Sequence, residues 1–216
     1  MKIKSFEGGY DKNLCYLAWC KKTKIAAIID PSVEILPIFE FIESHDLILD
    51  KILITHTHHD HIVYLNDILN FYPLIKVYAS KNALLRNFSE FIKLENNEVI
   101  TIGENLISSL STPGHYLDSI CYWIKDKNII FTGDTMFVGR TGRTISSGSN
   151  ISDLYRSIYK ILLKLPGDTI IYPGHNYGFS KTISIDDNIK YSIFFQCQTL
   201  NEFKIVMKNY ENQRKK

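Results

Sequence analysis

The sequence predicts an α/β protein with four layers, an αββα sandwich in which two β-sheets face one another and helices cover the outside. Three observations lead to this fold class. Hydrophobic residues make up 45% of the 216 residues, which is enough for a well-buried core. Short apolar runs typical of buried strands alternate with stretches of helical periodicity. The strands fall into two groups with helices between them, and two such halves are most simply packed sheet against sheet.

The first half of the chain contains the strands of one predicted sheet. Each apolar run is bounded by turn residues such as Gly8-Gly9 and Asp30-Pro31. Between the later strands, apolar residues recur at helical spacing, as at Ile35, Ile38 and Ile42. In order, the predicted elements are strands at 3–6, 14–20 and 25–29, a helix at 33–44, a strand at 51–54, a helix at 62–71, a strand at 76–79, a short helix at 81–88 and a hairpin of 99–102 with 106–111.

The second half repeats this layout without repeating any sequence motif. Its predicted elements are strands at 119–124 and 129–132, a long loop at 133–149, a helix at 151–165, a strand at 169–172 and a C-terminal amphipathic helix at about 199–210. No linker rich in Pro, Gly or Ser divides the chain. Residues 1–216 are therefore predicted to form a single domain.

Composition limits the class of function. The formal net charge of +2 gives no reason to expect a nucleic-acid or membrane partner. Residues 1–7 carry charge where a signal peptide needs an unbroken apolar run. The four cysteines form no Cys-x-x-Cys pair, so reduced, buried thiols are expected. These features predict a cytoplasmic protein.

One short stretch concentrates side chains that bind metals. It follows the predicted strand at 51–54 and has the order His-x-His-x-Asp-His, formed by His56, His58, Asp60 and His61. An apolar core offers no partner for so many imidazole and carboxylate groups. Imidazole together with carboxylate suits zinc, iron or manganese. The stretch therefore predicts a transition-metal site, with a histidine-rich surface loop as the alternative.

Three other predicted strands end on a glycine followed by a polar residue. These residues are His115, after Thr-Pro-Gly, Asp134, after Thr-Gly, and His175, after Pro-Gly. Glycine allows a sharp backbone turn at each point. Strand ends converge on one surface of a packed domain, and six of the seven histidines lie in these loops. We therefore expect seven ligands in one site, namely His56, His58, Asp60, His61, His115, Asp134 and His175.

The order of these motifs resembles the metallo-β-lactamase superfamily over essentially the whole chain. Within that superfamily, the chain is most similar to the glyoxalase II and persulfide dioxygenase group. The closer similarity rests on Phe-Thr-Gly-Asp-Thr-Met-Phe at 131–137, Gly-Arg-Thr-Gly-Arg-Thr at 139–144, Leu-Pro-Gly-Asp-Thr at 165–169 and Tyr-Pro-Gly-His-Asn-Tyr at 172–177. The resemblance implies the αββα fold independently of the strand pattern.

The resemblance also implies two divalent transition-metal ions, with zinc expected first and iron or manganese as alternatives. It assigns His56, His58 and His115 to one ion, assigns Asp60, His61 and His175 to the other, and lets Asp134 bridge both. Metal binding can lower the pKa of water from roughly 15.7 to about 7. A hydroxide shared by the two ions would attack a substrate carbonyl. Asp60, which would orient it, and Asp134 are the expected catalytic carboxylates.

Substrate contacts are implied at two further positions. In glyoxalase II, a basic residue after the bridging aspartate and a tyrosine after the last histidine contact glutathione, and these positions match Arg143 and Tyr177. Arg143 is expected to clamp a carboxylate through two hydrogen bonds, with an exposed loop arginine as the alternative. His59 is expected to face solvent or to support a ligand. Residues 140–146 depart from the pattern of both groups, which leaves the thiol part of the substrate open.

Three functions remain open at this point. Hydrolysis of a hydroxyacylglutathione-type thioester is favoured because the loop differs from the dioxygenase pattern, and a thiolate leaves without a dedicated general acid. The first alternative is a persulfide dioxygenase, in which His56, His115 and Asp134 would hold a single iron. The second is a non-catalytic metal-binding module. The complete set of seven ligand positions disfavours that module.

Overall fold

The computed structural model describes residues 1–84 and 91–213. Its first sheet has six strands in the order of the chain. The first three strands pair antiparallel, and the third to the sixth pair parallel. The elements of this half are β1 (Lys2–Gly8), β2 (Asn13–Trp19), β3 (Ile25–Ile29), α1 (Leu36–Ser44), β4 (Ile48–Leu53), α2 (His59–Ile62), α3 (Leu65–Phe71), β5 (Lys76–Ser80) and β6 (Ile92–Leu94).

The second sheet also has six strands, in the order β14-β13-β10-β9-β8-β7. Its β10 and β13 pair parallel, and the remaining pairs are antiparallel. The elements of this half are β7 (Val99–Ile102), β8 (Asn105–Ser111), β9 (Ile120–Ile124), β10 (Ile129–Gly133), β11 (Met136–Phe137), β12 (Arg140–Thr141), α4 (Ile151–Arg156), β13 (Ile170–Pro173), β14 (Ile183–Ser184), α5 (Ile185–Tyr191) and α6 (Leu200–Gln213).

Three apolar cores separate four layers. Along β2, the side chains of Leu14, Tyr16 and Ala18 face the space between the sheets, whereas Cys15 and Leu17 face the first group of helices. Both faces of the strand are therefore buried, as its nearly continuous apolar sequence requires. A third core lies between the second sheet and the helices from α4 to α6. This arrangement confirms the predicted αββα sandwich.

Several element boundaries differ from the prediction. The helix expected at 62–71 begins only at Leu65, as α3, and Ile62 ends α2. Between them, the amide of Tyr64 donates to the carbonyl of Pro31 at 3.0 Å. The predicted loop at 133–149 contains the β11–β12 hairpin. Of the helix expected at 81–88, residues 81–84 form a turn and irregular backbone, and the rest lies outside the described residues. The expected strand at 51–54 begins earlier, at Ile48.

The region between His175 and α6 contains elements that the sequence pattern did not predict. These are β14, α5 and the short 3₁₀ turn Ile193–Phe195. Ser184 caps α5, since its Oγ accepts from the amide of Asp187 at 3.1 Å. A helix of seven residues shows barely two turns of periodicity, which explains why it was missed. The helix predicted at 151–165 begins as α4 and continues past Arg156 as a π turn and a 3₁₀ turn.

All four cysteines are buried and unpaired, as the sequence predicted. Within residues 1–84 and 91–213, no helix has the length and apolar character needed to cross a bilayer.

Candidate metal centre

The seven expected ligands come from four loops at one end of the two sheets. The loop after β4 carries the His-x-His-x-Asp-His stretch, and its last residues form α2. His115 follows β8, Asp134 follows β10 and His175 follows β13. The amide of Gly174 donates to the carbonyl of Gly133 at 2.8 Å, which joins the last two loops. The structure thus brings all seven side chains into one cluster.

The first group in the cluster consists of three histidines. Nε2 of His56 and Nε2 of His115 each lie 3.0 Å from Nδ1 of His58. Burial, with a smaller contribution from His115, lowers the pKa of His58 to about 4, so its ring is neutral near pH 7. Three ring nitrogens that face one another cannot all be satisfied by hydrogen bonds among themselves. This group therefore has lone pairs available for a cation.

The second group consists of Asp60, His61 and His175. The two histidine Nε2 atoms lie 3.2 Å apart, and Nε2 of His175 lies 3.3 Å from Oδ2 of Asp60. His61 is fully buried. In each of the two groups, the potential ligand atoms all lie within 4.8 Å of one another.

Asp134 lies between the two groups. Its Oδ1 is 3.2 Å from Nε2 of His61, and its Oδ2 is 3.4 Å from Nε2 of His175 and 3.5 Å from Nε2 of His115. Gly133 turns the chain at this point with φ of 48°, and a Cβ there would stand 2.4 Å from Oγ1 of Thr55. Only glycine permits this approach, which explains the residue that precedes the aspartate.

The geometry fits divalent metal ions. Zinc holds nitrogen ligands at about 2.0–2.1 Å, which in a tetrahedral shell separates them by roughly 3.4 Å. The observed nitrogen separations of 3.0–3.2 Å are close to that value. The buried Oδ1 of Asp134 has no hydrogen bond of good geometry to another described residue, despite its proximity to His61. An ion between the groups would satisfy that oxygen and the facing nitrogens together.

Three histidines of the cluster are held by hydrogen bonds of 2.9 Å on their outer nitrogens. Nδ1 of His115 bonds the carbonyl of Arg143, and Nδ1 of His175 bonds the carbonyl of Asp11, both at 2.9 Å. Nδ1 of His61 bonds Oδ2 of Asp30, also at 2.9 Å. A carbonyl oxygen can only accept, so Nδ1 carries the proton in His115 and His175, and the neutral ring presents a lone pair on Nε2.

Asp30 and Asp118 were not identified by sequence reasoning, although both support the cluster. The Asp30 carboxylate accepts from the amide of Thr55 at 2.7 Å and from its hydroxyl at 2.6 Å, in addition to its contact with His61. Asp118 accepts from the amide and hydroxyl of Thr57, at 3.1 and 2.5 Å. Burial, opposed by these bonds, raises the pKa of Asp118 to about 6. The Asp-Pro pair at position 30 was interpreted only as a strand stop, and nothing local distinguishes Asp118.

The two residues expected to contact the substrate, Arg143 and Tyr177, have different surroundings. Arg143 is exposed, so its side chain is available to a ligand while its carbonyl holds His115. The ring of Tyr177 stacks on His175 with centroids 4.7 Å apart, and its hydroxyl donates to Asp11. The guanidinium of Arg140, a residue without an assigned role in the sequence prediction, lies 3.7 Å from the Tyr177 ring centroid.

His59 is exposed, in agreement with the expectation that it faces solvent. It lies on α2 and lines a cavity beside Asp60. The seventh histidine, His45, lies just after α1 and stacks on Phe41 with centroids 3.8 Å apart. It takes no part in the cluster.

Comparison with known proteins gives a consistent result. The sequence model that defines the metallo-β-lactamase superfamily matches residues 8–175 of this chain. A probable hydroxyacylglutathione hydrolase of Schizosaccharomyces pombe is 35% identical over 210 residues, covering 94% of this chain and 77% of the relative. The probable polyketide biosynthesis zinc-dependent hydrolase BaeB of Bacillus velezensis is 31% identical, covering 94% of this chain and 89% of the relative.

Among solved structures, the crystal structure of ETHE1 from Myxococcus xanthus superposes with a TM-score of 0.88 at 28% identity, covering 97% of this chain and 91% of that one. The strand-end cluster, the four layers and the match over residues 8–175 agree with one another. The chain therefore belongs to the metallo-β-lactamase superfamily.

Proposed function

We propose that the protein is a metal-dependent hydrolase that cleaves a thioester of the hydroxyacylglutathione type. The observation that carries this proposal is the arrangement of two three-residue groups on either side of the Asp134 carboxylate. Such an arrangement suits two divalent ions that share one carboxylate. The names of the fission-yeast and Bacillus relatives, a hydroxyacylglutathione hydrolase and a zinc-dependent hydrolase, support the substrate class and zinc as the metal.

In this proposal, His56, His58 and His115 hold one ion, Asp60, His61 and His175 hold the other, and Asp134 contacts both. Bound ions of this kind supply a nucleophilic water of lowered pKa and polarise a carbonyl group. The role of the chain is to fix their ligands. Nδ2 of Asn13 donates to Oδ2 of Asp60 at 2.9 Å, which sets the orientation of that carboxylate. Asp60 can then accept a hydrogen bond from the attacking water.

Departure of the thiol product requires no dedicated catalytic group on the protein. A thiol has a pKa near 8.5, so the thiolate is a good leaving group and needs no proton donor as it departs. Arg143, exposed beside His115, is proposed to bind a carboxylate of the thiol part. Tyr177 is proposed to form the adjacent wall, where it stacks on His175.

Metal content and reaction type can be measured together. Protein purified without oxygen should contain about two divalent ions per chain and should release thiol from S-lactoylglutathione. Oxygen uptake with glutathione persulfide should be absent. One iron per chain, oxygen consumption and no thiol release would favour the persulfide dioxygenase, whose expected ligands, His56, His115 and Asp134, lie in the same cluster. Tight metal binding with neither reaction would favour the non-catalytic module.

A further inference from the structure

A cavity of about 540 Å³ opens beside Asp60. It lies between the turn that joins β1 and β2, the segment that precedes α1, and helix α2. Tyr10, which is 86% exposed, stands on the turn, and His59 lines the side formed by α2. The volume is within the range of roughly 300–1,000 Å³ that is usual for small-molecule pockets. Of the second ligand group, Asp60 lines this cavity.

The walls of this cavity are mainly apolar. Phe6, Val33, Pro37, Val63 and Tyr64 line it. Among the described residues that line it, none is a lysine or an arginine. An apolar surface of this kind gains free energy by burying hydrocarbon.

The charged side chains of the walls are acidic. Besides Asp60, they are Glu7 and Glu34. Glu7 is paired with Lys181 at 3.0 Å. These carboxylates disfavour an anionic ligand. The apolar walls disfavour any charged group, so an uncharged ligand suits the cavity.

The end of the cavity next to Asp60 is polar. Asn13, which lines it, donates to the Asp60 carboxylate, while its Oδ1 is buried without a hydrogen-bond partner among the described residues. The buried hydroxyl of Ser32 in the same wall also has no such partner. Gly9 lets the turn pack closely on Asn13, because a Cβ there would stand 2.6 Å from Oδ1 of Asn13. Asn13, Ser32 and Asp60 thus contribute polar side chains to a lining that also contains apolar ones.

The other cleft at the cluster has the opposite character. It reaches His115 and Asp134, contains Arg140 and Arg143, and has a volume of only about 30 Å³. A carboxylate-bearing thiol suits the outer surface near these arginines. It does not suit the acidic and apolar cavity. The two halves of a thioester substrate can therefore be distinguished by charge.

We infer that the cavity beside Asp60 binds the acyl group of the thioester, and that this group is an extended, uncharged chain rather than the short lactoyl group. The inference rests on the proposed thioesterase function and specifies its substrate. An acyl group is polar at its carbonyl and apolar along its tail, and the cavity lining combines Asp60 with apolar walls. A lactoyl group would leave most of the volume to water.

The test is a chain-length series on the metal-loaded full chain. Acetyl, butanoyl and hexanoyl thioesters of both glutathione and N-acetylcysteamine are compared by kcat/KM. Each buried methylene should raise kcat/KM by about fourfold, on either thiol. Hydrolysis with a flat or falling series would overturn the acyl pocket alone. Failure to cleave any thioester would overturn the proposed function instead.

Binding without turnover provides a second measurement. S-Hexylglutathione is a thioether and cannot be hydrolysed, so calorimetry can compare its affinity with that of S-methylglutathione. The hexyl compound should bind at least about tenfold more tightly, because its chain enters the apolar cavity. Equal affinities would contradict the inference.

A matched pair of substitutions locates the effect. Val63→Phe narrows the cavity at a position that is 39% exposed and therefore tolerant of a larger side chain. It should lower the hexanoyl-to-acetyl ratio of kcat/KM by about tenfold and weaken S-hexylglutathione binding. Val99→Phe, at a 54% exposed position on β7, serves as the control. Equal selectivity in the two variants would place the acyl chain elsewhere.

Discussion

The residues that orient the histidines determine whether the cluster can hold a cation. His61 and His175 each present Nε2 to Asp60 and Asp134, while Nδ1 is bonded outward. Without those outer bonds, each ring could rotate, or it could carry its proton on Nε2, the nitrogen that faces the cluster. Asp30 holds the His61 ring in place, because its carboxylate bonds both to that ring and to the backbone amide of Thr55. The groups that bond to Nδ1 must therefore be placed as accurately as the expected ligands themselves.

Asp134→Asn should lower metal content and hydrolytic activity together, by about tenfold or more. The carboxylate lies between both groups, and a neutral amide offers one oxygen and no charge to the ions. Metal analysis after dialysis, combined with thiol release, measures the two effects. Asp126→Asn, at an exposed position in the turn Lys125–Lys127, is the control and should change neither. Full metal content in Asp134→Asn would contradict a shared ligand.

Arg143→Lys should raise KM for glutathione thioesters by about tenfold and change kcat much less. Lysine keeps the charge but cannot form the two-point contact with a carboxylate. Steady-state kinetics with S-lactoylglutathione provide the measurement. Arg156→Lys, at an exposed position on α4, should leave both constants unchanged. An unchanged KM in Arg143→Lys would make this residue an ordinary exposed arginine whose backbone alone is used.

Among the elements, α6 connects the outer helices to the smaller cleft. Phe203 and Met207 are buried one turn apart, and Phe203 packs against Tyr155 and Tyr159. Near its end, the hydroxyl of Tyr210 accepts from Nη1 of Arg140 at 2.5 Å. Arg140 in turn lies over Tyr177. Packing of one helix face thus sets the residues that line the cleft beside Asp134.

Phe203→Ala should lower the free energy of unfolding by about 3–5 kcal/mol, because it leaves a cavity in the core beneath α6. Urea denaturation followed by circular dichroism gives the value. Phe179→Ala is a matched control, since Phe179 is 65% exposed. The control should change stability by less than about 1 kcal/mol. Equal losses in the two variants would show that α6 is not packed as described.

In the whole molecule, the cluster joins the two sheets. The loop after β4 belongs to the first sheet, and the loops after β8, β10 and β13 belong to the second. The hydroxyl of Tyr122, on β9, donates to the carbonyl of Ile54 at 2.8 Å, and this bond also crosses between the sheets. Ions held by ligands from both sheets would therefore resist their separation.

Removal of metal with a chelator should lower the melting temperature. Free metal at about 100 times its dissociation constant stabilises the native state by roughly 2.7 kcal/mol per site. Thermal unfolding with and without EDTA measures this effect, and readdition of zinc should reverse it. Asp134→Asn should respond much less to the chelator than the unsubstituted chain does. An identical melting temperature in all samples would mean that the ions, if bound, do not couple the two sheets.

The four layers and the positions of the expected ligands could be predicted from the amino-acid sequence. Both signals are local, because apolar alternation marks strands and a strand end followed by glycine marks where a side chain can turn toward the cluster. His56 and His115 could be identified in this way without coordinates. The boundaries at Tyr64 and β14 could not, since they depend on contacts made elsewhere in the chain.

The residues that support the cluster, and the place where a substrate can enter, could not be predicted because they depend on how distant segments pack together. Asp30 meets His61 from 31 positions away, and Asn13 meets Asp60 from 47 positions away. No spacing rule connects such pairs, because their distance depends on how the strands are ordered and packed. The same packing closed the cleft beside Arg140 and left the cavity beside Asp60 open. Cavity shape is a property of packed surfaces, so no single segment of the chain contains it.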